Sequence, residues 1–145
     1  MKRNSGCWPL VYLIEDDSDD QYMFKMIVKE LGINIELQLF DNGLAAFEAL
    51  LKCLDRQDSE IKKMLPDLIL LDLNLPIWDG KKTLKRIKNE AELKVIPVVI
   101  YTTSKSEYDL QDCYALGANS FISKAAEYEL LLTQIERIFN YWFET

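Results

Sequence analysis

The chain has 145 residues, 49% of them hydrophobic, which is enough for one ordinary domain to build a core without disulfide or metal staples. Its net charge is −7 and no extended basic stretch occurs, so direct nucleic-acid binding is not expected. With no histidine at all, Ser-His-Asp and Cys-His sites, His-ligated metals and phosphohistidine carriers are excluded, and chemistry falls to carboxylates, hydroxyls and lysine.

Three scattered cysteines, Cys7, Cys53 and Cys113, show no metal-pair spacing, as befits reduced thiols in a cytoplasmic protein. After the basic Met1-Lys2-Arg3 comes an apolar run from Trp8 to Ile14, cut short by Glu15-Asp16-Asp17. That run is too brief for a signal-peptide core or a membrane span, and no membrane attachment is expected.

In chain order, Pro9 to Ile14 is a first strand that delivers Glu15-Asp16-Asp17 at its end. Ser18 to Gly32 follows as a helix, capped by Ser18 or Asp17, with acids in its first turn and a glycine at its end. Tyr22, Met23, Met26, Ile27, Val28 and Leu31 are its expected buried stripe. Ile33 to Phe40 alternates as a strand near an edge, and Asp41-Asn42-Gly43 makes a turn. Leu44 to Leu54 is a second helix with Leu44, Phe47, Leu50, Leu51 and Leu54 on one face. The charged Asp55 to Lys63 extends that helix or forms a surface connection.

The apolar run Leu68 to Leu71, within a third strand from Asp67 to Asp72, stops on a carboxylate. Short runs of this kind suit a strand buried on both faces of a parallel sheet. Pro76 and Asp79-Gly80 punctuate the next loop, and a helix runs from about Gly80 to Ala91 with Leu84 and Ile87 inward. Ile96 to Tyr101 is a fourth strand, ending in Thr102-Thr103-Ser104. A helix from Glu107 to Leu116 closes on Gly117, a short fifth strand runs from Asn119 to Ser123, and Lys124 follows it. The last helix spans Glu127 to about Phe143. Alternation of this kind, with connections too long for hairpins, predicts right-handed crossovers and a doubly wound parallel α/β sheet.

In such a sheet the carboxyl ends of the strands crowd around one crevice. There they present Glu15 and Asp16, Asp72, Thr102 and Lys124. Clustered carboxylates repel one another unless a cation or proton intervenes. Oxygen-only ligands suit Mg²⁺, and hydroxyl and ammonium groups opposite them suit an anionic group attached at the site. The set fits acceptance of a phosphoryl group on a carboxylate.

These motifs carry a resemblance. The pair Glu15-Asp16 after an apolar strand, the block Asp72-Leu73-Asn74-Leu75-Pro76-Ile77-Trp78-Asp79-Gly80, Thr102 after the fourth strand and Lys124 after the fifth resemble the receiver domain of two-component response regulators. The match covers nearly all of the chain from about Leu10 to the last helix. The run Glu15-Asp16-Asp17-Ser18-Asp19-Asp20 and the stand-alone length are similar to the single-domain regulators that serve bacterial phytochromes. The resemblance implies a flavodoxin-like, five-stranded sheet of order 2-1-3-4-5 with five helices, a single domain over residues 1–145.

It also implies roles. Asp72 would be the phosphoacceptor, taking its group from the phosphohistidine of a sensor histidine kinase or a histidine phosphotransfer protein. Asp16 and Asp72 would hold Mg²⁺ directly, Asn74 through its backbone carbonyl and Glu15 through water. Thr102 would bond the phosphoryl oxygens and Phe121 would turn inward with it as a switch. Lys124 would pair with Asp72 before phosphorylation and with the phosphoryl group afterwards. The family usually carries proline after this lysine, joined by a cis peptide. Here Ala125 stands in that place, and the Lys124–Ala125 link is expected to be trans because a non-proline cis bond costs about 2.5–4 kcal/mol.

No output domain is expected beyond Thr145, so the signal would leave through a downstream protein target, the chain itself being no enzyme beyond slow self-dephosphorylation. The competing reading is a Mg²⁺-dependent phosphohydrolase with an Asp nucleophile, which would need an acid where Asn74 stands. A flavodoxin-like binding module would need a hydroxyl- and glycine-rich loop that the first strand lacks. In the last helix, Leu131, Ile135, Ile138 and Trp142 have the spacing of a core-facing stripe. Leu132, Phe139 and Phe143 lie on a neighbouring face, either wrapped back over the core or, as the resemblance favours, shared with a second copy in a symmetric homodimer.

Overall fold

The computed structural model describes residues 8–55 and 64–143, so Cys7 and most of the charged Asp55–Lys63 stretch lie outside the described residues. Five strands and five helices alternate among the described residues. They are β1 (Leu10–Ile14), α1 (Ser18–Glu30), β2 (Glu36–Phe40), α2 (Gly43–Cys53), β3 (Leu68–Leu71), α3 (Gly80–Lys88), β4 (Val98–Thr102), α4 (Glu107–Ala115), β5 (Ser120–Ser123) and α5 (Tyr128–Trp142). All pairings are parallel, and the strand order is β2-β1-β3-β4-β5. The expected doubly wound architecture is the observed one.

Burial follows the hydrophobic pattern. Every residue of β1, β3 and β4 is buried, as their unbroken apolar runs require with helices on both faces, whereas β2 alternates exposed and half-buried residues. Successive side chains point to opposite faces, so the strands feed two cores. Tyr12, Ile14, Ile69, Leu71, Val98 and Ile100 pack with Phe47, Leu50, Leu84 and Ile87 from α2 and α3. Val11, Leu13, Leu68, Leu70, Val99 and Tyr101 pack with Phe24 and Ile27 from α1 and Ile135, Ile138 and Phe139 from α5.

Four local expectations change. The second strand begins at Glu36 rather than Ile33, because Ile33 N still donates to Val28 O at the end of α1 and the ladder opens with Glu36 N on Pro9 O. On α1 the buried residues are Phe24 and Ile27, while Tyr22 and Met26 are 64% and 45% exposed. At 100° per residue, Phe24, Leu31 and Met23 lie on the side of Ile27, and Tyr22 and Met26 fall well off it. Leu51 of α2 is likewise exposed, and Ala46, on the opposite flank of Leu50, is buried instead. α3 stops at Lys88, with Asn89 at its C-terminus, and tight turns then tuck Leu93 inward.

The aromatic end of α5 is a cap on its own core. Phe139 is buried, stacks on Phe143 with ring centroids 5.9 Å apart and meets Phe24 at 6.1 Å. Leu132, Trp142 and Phe143 pack half-buried on the same cluster. The face expected to serve a second copy is therefore covered from within, because Phe139 lies one residue from Ile138 and both edges of the stripe reach the sheet.

Candidate functional site

Backbone ladders bring the polar strand ends together. Asp72 follows β3 directly, and its N–H donates to Ile14 O (3.0 Å). Glu15 follows β1, donating to Phe40 O (2.9 Å). The two carboxylates therefore emerge side by side from adjacent strands. Glu15, Asp16 and Asp72 each offer a carboxylate oxygen within 4.8 Å of the others, Asp16 exposed and the other two buried. Asp72 Oδ1 accepts Leu73 N–H at 2.7 Å, and Glu15 Oε2 accepts Asp17 N–H at 3.1 Å.

Lys124 enters from the end of β5. Its ammonium bonds Glu15 Oε1, stands 3.3 Å from Asp20 Oδ2 and 3.9 Å from Asp72 Oδ2, and lies over the Tyr101 ring. In this arrangement its shortest partner is Glu15, and Asp72 sits at the outer edge of ion-pair distance. Burial pushes the Glu15 carboxyl up to about 7; the Lys124 bond and charge pull the other way, and the nearby Asp72 adds to the rise. Burial alone would lower Lys124, but its bond to Glu15 and the charges of Glu15, Asp72 and Asp20 outweigh that and hold it above its ordinary value.

Thr102 ends β4 fully buried, its Oγ1 accepting Ser104 N–H (3.3 Å). Phe121 of β5 is half-buried against the core shared with α3 and α4. Asn74 is exposed and lines an open depression of about 560 Å³ together with Asp16, Pro76, Asp79, Lys81 and Asp109. A slightly larger groove of about 620 Å³ lies beside α2 and shares no residue with it.

The loop after Asp72 is tightly prescribed. A Cβ on Gly80 would lie 2.2 Å from Asp72 O and 2.6 Å from Leu73 Cα, so only glycine lets α3 begin against the acidic strand end. Asp79 caps that helix through Lys82 N–H (2.8 Å). Ile77 adopts φ +66°, a left-handed backbone uncommon for a β-branched residue. Trp78 is pinned against Phe47 at 5.4 Å, with the cations of Lys82 and Arg86 about 5 Å from its ring.

Sequence reasoning missed three participants. Asp20, one turn into α1, reaches Lys124. Ser104 collects bonds from Ser123 Oγ (2.6 Å) and Ser106 N–H (3.2 Å) and donates to Asp109 (2.6 Å). Gln134 of α5 bonds the backbone on both sides of Lys124. Only Asp20 left a trace, as the fifth acid of the Glu15–Asp20 run; a lone Ser or Gln carries no such signal.

A parallel sheet of this order, with clustered acids and a buried lysine at its carboxyl end, defines a receiver, and the family model for the response regulator receiver domain matches residues 11–136. The chain belongs to that family. Among its relatives, response regulator Rcp1 of Synechocystis sp. is 36% identical over 136 residues, covering 94% of this chain and 90% of that protein. The crystal structure of the Mn²⁺-bound form of Rcp1 superposes with a TM-score of 0.80 and covers 94% of this chain and 96% of that one. The phosphorylated cyanobacterial phytochrome response regulator RcpA, 31% identical, gives a TM-score of 0.83 over 95% of this chain and 96% of that one. Phosphorylation-dependent two-component signalling is the function of this family. No helix among the described residues is long and apolar enough to cross a membrane.

Proposed function

We propose that residues 1–145 form a single receiver domain that stores a signal as an aspartyl phosphate on Asp72. The observation that carries the reading is the juxtaposition at Asp72: two further carboxylates with oxygens within 4.8 Å, and the Lys124 ammonium 3.9 Å away and bonded to Glu15. An Asp72 carboxylate oxygen attacks the phosphorus of a phosphohistidine on a sensor kinase or phosphotransfer protein. The O–P bond forms, the P–N bond breaks, and imidazole leaves with a proton.

The oxygen-only donor set fits Mg²⁺, which Asp16, Asp72 and the Asn74 carbonyl would hold, with Glu15 reaching it through water. When bound, the ion supplies positive charge that offsets the phosphoryl oxygens. Lys124 pairs with the added group and Thr102 donates its hydroxyl to it, while Phe121 reports that movement at the surface. Replacing the weak Asp72 contact with a dianionic phosphoryl group strengthens the pull on Lys124 and draws it from Glu15.

The signal leaves by contact with a protein target in the cytoplasm. The net negative charge argues against nucleic acid, and a second copy would meet α5 on the side that exposes Leu130 and Tyr141. The chain is a phosphoacceptor and not a turnover enzyme: the place of a hydrolase's second acid holds Asn74. Incubation with acetyl phosphate and Mg²⁺, followed by intact-mass measurement, should show one added phosphoryl group. Asp72→Asn should show none while keeping its circular dichroism. Equal labelling of that variant would refute the assignment.

A further inference from the structure

Lys124 must hold a flexible four-carbon stem in a buried pocket, its side chain 8% exposed, and the residue after it is the unconstrained Ala125. One side chain brackets it. Gln134 Nε2 donates to Ser123 O at 2.8 Å, and Gln134 Oε1 accepts Ala125 N–H at 2.9 Å. These two backbone groups flank Lys124. The bond to Ala125 uses an N–H that proline does not have. Orientation of the amide is fixed by chemistry, because its NH₂ must face the carbonyl and its oxygen must face the N–H.

The bracket has a firm base. Gln134 precedes Ile135, which is fully buried, and Ile138 and Phe139 seat the next turn of α5 on the sheet. On the other side, Lys124 N–H donates to Thr102 O at 2.6 Å. The lysine backbone is thus held from α5 and from β4 at once, and its ammonium arrives among Glu15, Asp20 and Asp72.

We propose that Gln134 is a positioning residue for phosphoryl binding, fixing the β5–α5 turn so that the Lys124 ammonium stands beside Asp72. This rests on the reading of Asp72 and Lys124 as the phosphoryl site. Gln134 touches neither the acids nor the incoming group; it acts through Lys124. The bracket also joins the site to α5.

A double-mutant cycle separates this role from simple stability. Beryllofluoride, with Mg²⁺ in excess, is titrated against wild type, Gln134→Ala, Lys124→Ala and the double variant, with tryptophan fluorescence as the signal. Gln134→Ala should weaken binding about threefold to tenfold, and it should add nothing once Lys124 is already alanine. Gln134→Glu, of the same shape, sets a carboxylate against Ser123 O and should also weaken binding. Gln134→Ala with wild-type affinity overturns the proposal. So does an equal loss in both backgrounds, which leaves the phosphoryl-site reading intact. If Lys124→Ala itself binds as wild type does, the role of the lysine fails and the bracket fails with it.

Discussion

Two loops flank Asp72. The one from β3 to α3 is held by its own backbone, and the one from β4 to α4 by exchangeable side chains. In the first, Leu75 N–H and Gly80 N–H both return to Leu73 O, Ile77 sits at φ +66°, and Gly80 lies against the Asp72 carbonyl. In the second, Ser104 is the hub, joined to Thr102, Ser106, Asp109 and Ser123, and Asp109 is tied in turn to Lys81 of α3 at 2.7 Å. Backbone constraints yield only if the chain moves as a whole. Side-chain hydrogen bonds each contribute about 0.5–1.5 kcal/mol and can be traded for others. The acceptor side is therefore built to stay still, and the Thr102 side is built to rearrange when Asp72 changes charge.

The largest effect should come from breaking the rigid loop. Gly80→Ala forces the Asp72 and Leu73 backbone aside and should cost about 2–3 kcal/mol, read by urea denaturation. A cost below 0.5 kcal/mol, by rough analogy with surface sites, would mean that this backbone gives easily. Next comes the buried acid beside it. The Glu15 carboxyl ionises near 4.5 when unfolded and near 7 when folded, so between those values the folded state holds the extra proton. In EDTA, the stability contributed by Glu15 should be fully present below 4.5 and fall as pH rises through 7, by on the order of 2 kcal/mol. Glu15→Gln should flatten that slope; an unchanged slope would place the titration elsewhere.

On the side-chain-held loop, Ser104→Ala should cost only about 1 kcal/mol, yet it should change how strongly beryllofluoride is bound more than Gly80→Ala changes it per unit of stability lost. The reverse ranking would erase the distinction between the loops. The smallest effect should be a gain. Ile77→Gly relieves left-handed strain of roughly 1–2 kcal/mol and gives back about 0.5–1 kcal/mol in unfolded-chain entropy. A net stabilisation of about 0.5 kcal/mol is expected, and a loss would show that the exposed isoleucine makes a compensating contact.

The rigid side was legible in the sequence and the mobile side largely was not. Leu68–Leu71 ending in Asp72, and Gly80 after a Pro-containing loop, are local signals: a buried strand that stops on a charge and a turn that needs a small residue. Alternation of strand and helix points to the doubly wound parallel sheet, while the strand order comes only from the receiver resemblance. Tyr22 and Met26 are apolar enough for the buried stripe but lie at the wrong angle on α1, and Phe24 fixes the true face. Spacing leaves Phe139 open between a cap on the core and a face for a second copy; the structure buries it beside Ile138. Ser104, Asp109 and Gln134 act only through partners distant in the chain or through backbone groups, so no pattern announces them.

Asp72, and no neighbouring acid, is the proposed carrier of the phosphoryl group. Borohydride reduction of protein treated with acetyl phosphate converts an aspartyl phosphate to homoserine, which peptide mass spectrometry locates. Homoserine at position 72, dependent on Mg²⁺ and absent from Asp72→Asn, is the expected result. Homoserine at position 16, or none in the presence of Mg²⁺, would rule Asp72 out as the acceptor.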